Sequence, residues 1–499
     1  MGSEIGYSLL PATAESYPFL DPDWVVRRAA PRSELFRERA FVPWLIAGVD
    51  AVVAEASLKL AQTLWRSSGF TSAHLPMFRH SEMSGAFLLA PMAYYLAGLY
   101  PGYGLSEVER LRRRVIAAAL IFATIAALES LIDHRTWLTP VLGLTFLFSL
   151  LSAPMEALVV TLLIRWNLWG APVAILGANG AGLAVSRALR AAPALGLRPI
   201  AIFRSDERLW GMEVDGVPVL GPPAMASRLA SGVSMAVVAM PGLKRTELAL
   251  LVERLPFRRV IVMPELGPLQ SLWVNARDVG GNLGLELTRN LLIRRNYYFK
   301  RVTDYVLGGP LLLLSLPVLA VLALWIKRVS PGPAFYAQIR EGRGGQPIRI
   351  WKLRTMRLDA EETLDRYLAE NPDEREHWQR FFKLKKDPRV LPGIGRLLRK
   401  TSLDELPQLW NVLRGELSLV GPRPFPSYHM EMFDSSFRRL RRSVMPGITG
   451  LWQVSSRSDG DLSVQERLDT FYIRNWSPWL DAFLLCRTAL TVFLCRGAY

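Results

Sequence analysis

"VTDYVLGGPLLLLSLPVLAVLALWI", residues 302–326, decides on which side of a membrane the last third of the chain lies. As a straight helix it would be about 36 Å long at 1.5 Å per residue, enough to cross a bilayer, so length does not decide. Pro317 deletes one helical hydrogen bond and crowds the carbonyl of Leu313, and Gly308, Gly309 and Pro310 loosen the first half. Ser315 can bond a freed backbone group, which makes a bend tolerable in a nonpolar setting. Arg294, Arg295, Lys300 and Arg301 precede the segment, and Lys327 and Arg328 follow it. A crossing would carry one of these clusters to the wrong side. The expected form is a re-entrant membrane helix broken at Ser315 and Pro317; a plain fifth span is the competing reading.

Upstream, apolar segments at 42–65, 84–100, 115–132 and 138–164 predict four transmembrane helices within 41–166, although Pro91 interrupts the second. Arg27, Arg28, Arg32, Arg37 and Arg39 precede the first, Arg110, Arg112, Arg113 and Arg114 separate the second from the third, and Arg165 follows the fourth. The other loops carry less: Arg66 and Arg79 in one, Arg135 beside Asp133 in the other. The positive-inside rule then puts residues 1–40 and everything after 165 in the cytoplasm. Asp50, Glu55 and Glu129 lie within the spans and are expected to face other helices.

Composition agrees with a membrane protein of several domains. The 499 residues are half hydrophobic, and Lys+Arg 60 against Asp+Glu 44 gives a formal charge of +16. Mean hydropathy is +0.18. Such a balance suits nucleic acid, an anionic membrane face or a phosphorylated substrate. With no zinc-finger spacing, RNP box or DNA-reading helix, nucleic acid is not expected as a partner. Cys486 and Cys495 form neither CxxC nor a disulfide framework, and residues 1–40 lack the apolar core of a signal peptide. The soluble parts are expected to face a reducing cytoplasm.

Residues 171–290 change character. "PVAILGANGAGLAVSRAL" reads strand, Gly-rich turn, helix, and "PIAIF", "MAVVAM" and "RRVIVMP" follow as short strands. This alternation predicts an α/β, Rossmann-like domain. Its glycines, at 177, 180 and 182, do not follow the dinucleotide order, and Arg204 stands where an acid would hold a ribose. A structural or regulatory role is therefore expected; a domain of this kind without a ligand often serves as a contact surface, which would make a homodimer.

The region 294–499 is Arg-rich and mixes strands with amphipathic helices. Within it lies "KTSLDELPQLWNVLRGELSLVGPRP" (400–424), where Asp404 and Glu405 follow the basic run 395–400. Ser402-x-x-Glu405 reads as a capping box, with Ser402 as N-cap and Glu405 returning a bond. The second reading is chemical. At a helix N-terminus a carboxylate is stabilised as the anion, available as a nucleophile. Its attack on a phosphate requires that Mg²⁺ and cationic side chains neutralise the phosphate oxygens. Lys352, Arg354, Arg396, Arg399, Lys400 and Arg423 are candidates, with Arg423 fixed by the rigid turn 421–424. Each could equally be a solvated surface charge. Five histidines and no cysteine cluster make zinc a poor alternative.

With those motifs in view, 294–499 resembles the bacterial sugar transferases known as monotopic phosphoglycosyl transferases. The pieces are "KRVTDYVLGGPLLLLSLPV", "SPGPAFYAQIREGRGG", "WKLRTM", "KKDPRVLPGIGRLLRKTSLDELPQLWNVLRGELSLVGPRP", "PGITGLWQV" and "YIRNWSPWLD". Shorter relatives carry an adjacent Ser-Pro in the apolar segment, where this chain has Ser315-Leu316-Pro317. The N-terminal half looks like the long members, which act with galactose or glucose. The resemblance implies an α+β catalytic domain on the inner (cytoplasmic) membrane of a bacterium. It also implies a ping-pong transfer of hexose-1-phosphate from a UDP-sugar to undecaprenyl phosphate, initiating exopolysaccharide or O-antigen-type assembly. Asp404 would be the nucleophile and Glu405 would help bind Mg²⁺. Asp469 and Asp481 fall in late matching motifs, with catalytic and structural roles both open. The architecture favours galactose, with glucose as the alternative. The reading from another class, a membrane-bound NAD(P)-dependent nucleotide-sugar oxidoreductase built on 171–280, lacks a dinucleotide fingerprint.

Overall fold

The computed structural model describes residues 25–29, 40–68, 86–132, 138–177, 180–230, 232–243, 245–263, 274–279, 282–287, 290–371, 375, 384, 387–455 and 462–493. It comprises two compact units, Met1–Gly267 and Pro268–Tyr499.

In the first unit the apolar segments are helical: α1 (Phe41–Ser67), α2 (Ala86–Leu96), α3 (Glu107–Ile132), α4 (Leu138–Ser149) and α5 (Ser152–Arg165). Stretches Phe41–Ser67 and Pro140–Arg165 are long and apolar enough to cross a membrane, by length and composition. The segment expected at 84–100 stops being helical at Leu96, and Gly98 follows with φ +73°.

The arginines before the third apolar run are not free loop charges. Arg110 and Arg114 extend one face of α3 and are buried. Arg114 donates to Asp50 of α1 at 2.5 Å and to Glu156 of α5 at 2.7 Å, and Arg110 reaches Glu156 at 3.1 Å. The Tyr100 hydroxyl donates to the second oxygen of Asp50 at 2.5 Å. Two cations thus face two carboxylates in a low-dielectric setting, with Arg114 over the Tyr94 ring and Arg110 over that of Trp169. Asp50 faces another helix, as expected; Glu156 was not anticipated.

A mixed six-stranded sheet follows: β1 (Ala171–Gly177), α6 (Ala181–Ala191), β2 (Leu197–Phe203), β3 (Glu213–Val214), β4 (Val217–Gly221), β5 (Met235–Ala239), α7 (Arg245–Arg254) and β6 (Arg259–Val262). Its order is β3-β4-β2-β1-β5-β6, parallel except for the short edge strand β3. β1 is buried throughout, its even residues in one apolar layer and its odd ones in others, as expected of a parallel strand covered on both faces. Gly177 and Gly182 are explained by packing. A Cβ on Gly177 would lie 2.3 Å from the Gly182 Cα, so strand and helix touch backbone to backbone. The core beneath β1 also holds Val42, Ile46, Val160 and Leu163 from α1 and α5.

The second unit begins with the hairpin β7 (Val274–Val279) and β8 (Asn282–Leu287), then α8 (Arg294–Val329), β9 (Phe335–Glu341), β10 (Pro347–Leu353) and α9 (Ala360–Glu370). Further on lie α10 (Ile394–Thr401), α11 (Gln408–Leu413), β11 (Ser418–Val420), α12 (Ser427–Met430), α13 (Ser435–Arg442), β12 (Gly447–Thr449), α14 (Leu451–Ser455), α15 (Leu462–Asn475) and α16 (Pro478–Phe493). α8 is the third helix able to cross a membrane by length and composition. Helical assignment runs unbroken through Pro310 and Pro317, because a proline removes one bond while its neighbours persist. The break expected at Ser315 and Pro317 is therefore not seen: one helix runs through both residues. The Ser315 hydroxyl donates to the Leu312 carbonyl at 2.7 Å, one residue short of the carbonyl that Pro317 frees.

Both ends of α8 rest on the same unit. Near its start, Asp304 accepts from Ser418 Oγ and Leu419 N, and Arg301 donates to the carbonyls of Val412 and Leu417. Near its end, Leu319, Leu322 and Ile326 pack with Leu353, Leu391, Ile394 and Leu398. Between them Leu311, Leu313, Leu314 and Leu316 are exposed.

Replacing Arg114 by Met should leave Asp50 without a cationic partner and Glu156 with Arg110 alone, and cost about 3–5 kcal/mol. Thermal unfolding in detergent should show the loss, and adding Asp50→Asn, which removes the stranded charge while Glu156 keeps Arg110, should recover much of it. Wild-type stability in the single variant would contradict the account.

Candidate active site

Asp404 and Glu405 occupy a single 3-10 turn, Leu403–Glu405, between α10 and α11. Ser402 ends α10 in the left-handed conformation, φ 57°. It makes no side-chain capping bond, so the capping box is not formed. Its carbonyl instead accepts from the Glu405 N–H at 3.2 Å. Released from capping, the Glu405 carboxylate crosses to two other elements. Its Oε1 accepts from Lys352 Nζ on β10 at 2.7 Å and from an Arg423 guanidinium N–H at 2.8 Å.

Each cation is held by its own scaffold. The outer edge of β10 is closed by Asn411 of α11, whose amide accepts from Trp351 N at 3.1 Å and donates to Arg349 O at 2.7 Å. One buried side chain thus replaces a third strand, satisfying groups that would otherwise be orphaned beside Lys352. Arg423 sits on a turn pressed against the parallel pair β11–β12. There Gly421 and Gly447 approach so closely that a Cβ on Gly447 would lie 2.1 Å from Gly421 N. Gly447 N donates to the Pro422 carbonyl, and Arg441 donates to that of Arg423.

The two carboxylates differ in electrostatics. Burial opposes ionisation of Glu405, but Arg423 and Lys352 outweigh it and hold its pKa down to about 2. Burial, then the repulsion of Glu405, pushes Asp404 up to about 6 against the pull of Lys352 and Arg423. The helix-terminus expectation of a lowered Asp404 is thereby corrected, since α11 has six residues and its partial charge does not offset desolvation. Above about pH 6 the Asp404 carboxylate is still ionised.

Of the other expected residues, Arg399 adjoins the site. It donates to Thr355 Oγ1 at 3.2 Å and lies 3.9 Å from Asp387. Arg396 and Lys400 are exposed on α10. Arg354 lies past the end of β10 and caps the end of α8 through the carbonyls of Ser330 and Pro331. Its guanidinium therefore serves the scaffold. Asp481 accepts from Lys300, Trp476 and Tyr472, and tethers α8 to α15 and α16. Asp469 is buried beside Arg441 at 3.3 Å, its pKa raised to about 6 by burial.

Sequence reading missed Tyr336, Arg340 and Asn411. The alternation of "FYAQIRE" was the available signal for the first two, because Tyr336, Gln338 and Arg340 share one face of β9.

Among the described residues no group of three or more His, Cys, Asp and Glu could hold a metal. The donor set still fits Mg²⁺, which binds one or two carboxylates and completes its shell with water and substrate phosphates. Both cationic partners of Glu405 engage Oε1, so Oε2 would be the oxygen to hold such an ion.

A family described as bacterial sugar transferase matches residues 295–495. A UDP-galactose-lipid carrier transferase of Erwinia amylovora is 32% identical over 79% of this chain and 82% of its own length. The undecaprenyl-phosphate galactose phosphotransferase of Salmonella typhimurium is 32% identical over 80% of this chain and 82% of its own. The UDP-glucose:undecaprenyl-phosphate glucose-1-phosphate transferase of Escherichia coli is 31% identical over 66% and 68%.

Because the folded protein holds the Asp404 proton more tightly than the unfolded chain, its contribution to stability is full below the ordinary carboxylate pKa. It is lost as pH rises through about 6. Asp404→Asn should therefore melt above wild type near pH 8, and the gap should close below about pH 4. Equal gaps at both ends would show an unperturbed carboxyl.

Proposed function

The chain belongs to the bacterial sugar transferase family, and on that premise we propose that it moves galactose-1-phosphate from UDP-galactose to undecaprenyl phosphate through a phosphosugar on Asp404. The observation that carries this reading is the pairing of a half-buried carboxylate, ionised above about pH 6, with a neighbour already neutralised by Lys352 and Arg423. In the first step an Asp404 oxygen bonds to the sugar-bearing phosphorus. The bond from that phosphorus to the bridging oxygen breaks, and UMP leaves with the electron pair. In the second, an oxygen of undecaprenyl phosphate bonds to the same phosphorus and the acyl–phosphate bond breaks, returning Asp404 as the carboxylate. Two steps at one carboxylate avoid a single crowded encounter of two anionic phosphates. Lys352 and Arg423 orient the turn and lower the charge an incoming phosphate meets. Mg²⁺ held by Glu405 would supply further neutralisation of the substrate's phosphate oxygens. Galactose is favoured over glucose because the galactose relatives align over more of the chain.

The membrane arrangement in this reading has four N-terminal spans, cytoplasmic Rossmann-like and catalytic domains, and α8 entering and leaving the inner membrane on the cytoplasmic face. Support comes from the packing of both ends of α8 on one unit, which a straight crossing would force to straddle the bilayer. The exposed leucines between those ends supply the inserted surface.

Wild-type enzyme given UDP-galactose labelled in the sugar, with Mg²⁺ and no lipid acceptor, should retain covalent label on Asp404. Chelator should prevent labelling, and so should Asp404→Asn, whose amide cannot attack phosphorus. Label that survives either treatment rules out the corresponding role. For topology, single cysteines near 296 and 330 in a cysteine-free background should both resist a membrane-impermeant reagent in intact cells. Labelling at 330 alone would establish a fifth span.

A further inference from the structure

The β9–β10 hairpin presents a row of polar side chains that the steps above leave unused. Its register sets Tyr336 opposite Lys352 and Arg340 opposite Ile348. Residues directly opposite share a face, as do residues two apart on one strand, so Tyr336, Gln338 and Arg340 lie on the face from which Lys352 reaches Glu405. Tyr336 is correspondingly raised in pKa by burial and by the nearby Asp404. From Tyr336 to Arg340 the strand rises about 13 Å. That is the scale of a nucleoside diphosphate sugar and exceeds that of one phosphate.

The far end of this row is stitched to the Arg423 turn. Glu341 N donates to the Phe425 carbonyl at 2.7 Å, and the Glu341 carboxylate takes two bonds from Arg442, at 2.8 and 2.9 Å. Arg340 is brought alongside Arg423 by these bonds. It donates to a neutral amide, Gln338 Oε1, at 2.7 Å. Burial and the like charge of Arg423 both lower its pKa. Two half-buried guanidinium groups, only one of them matched to Glu405, make a setting that an additional anion would complete.

We propose that Arg340 binds the phosphate that leaves with the nucleotide, while Asp404 attacks the neighbouring sugar-bearing phosphorus. As the bridging bond breaks, negative charge accumulates on the departing phosphate, and a fixed guanidinium there stabilises that charge. The assignment rests on the UDP-sugar reading and adds a direction to it: sugar end at Lys352 and Asp404, nucleotide end at Arg340.

Calorimetric titration of the full chain in lipid nanodiscs with UMP and, separately, uridine tests the assignment. Wild type should bind UMP more tightly than uridine. Arg340→Gln should lose about tenfold or more of its UMP affinity, with uridine affinity unchanged. Arg340→Lys should fall between, since a point charge replaces a two-pronged one. A variant that keeps the full preference for UMP overturns the assignment, and so does one that loses uridine together with UMP. Wild type that binds neither probe would instead overturn the UDP-sugar reading.

Discussion

The catalytic unit depends on one carboxylate with two cationic partners. Glu405 draws Lys352 from a hairpin and Arg423 from a turn more than sixty residues further on toward a 3-10 turn of three residues. Without it, two cations would face each other in a half-buried cleft. With it, three short pieces of backbone, none a stable element alone, become one surface. Asn411 and the Gly421–Gly447 contact then make the arrangement rigid, because each removes a freedom that a long Lys or Arg stem would otherwise keep.

Ion pairing recurs in the first unit in another role. Arg110, Arg114, Asp50 and Glu156 join three helices where water is scarce. Removing one partner of such a set is costly, whereas removing all together can be close to neutral. The set therefore specifies which helix faces meet more than it adds to stability.

Much of this was legible in the sequence, for reasons that can be traced. The apolar runs and the strand–turn–helix at 171–191 are local patterns, and these survive translation into structure, whereas the prolines of α8 did not break its helix. Glu405, Lys352 and Arg423 could be named because charge clusters stand out along a chain. Arg354 misled because it was named as one cation among several near the carboxylates, yet β10 ends at Leu353 and its guanidinium turns to the carbonyls at the end of α8. Ser402 misled because the capping pattern is only four residues long and competes with the termination of α10. Arg110 and Arg114 were counted as loop charges since their partners lie 42 to 64 residues away, beyond any window of local reading. Asp404's raised pKa was beyond reach for the same reason: desolvation is a property of everything that surrounds a group.

The apolar core beneath β1 has a consequence for how the first unit could have arisen and how it can be divided. Residues of α1 and α5 share that core with Ala171, Val173, Leu197 and Val237 of the sheet. A modular receptor joins its membrane anchor to its globular head through a hydrophilic tether, so either half can be exchanged. Here no such seam exists, because the underside of the sheet is also the cap of the helices. Cutting the chain between Arg165 and Ala171 would strip the oily base from one piece and the lid from the other, so a shuffling event or a designed chimera must carry helices and sheet as one cassette.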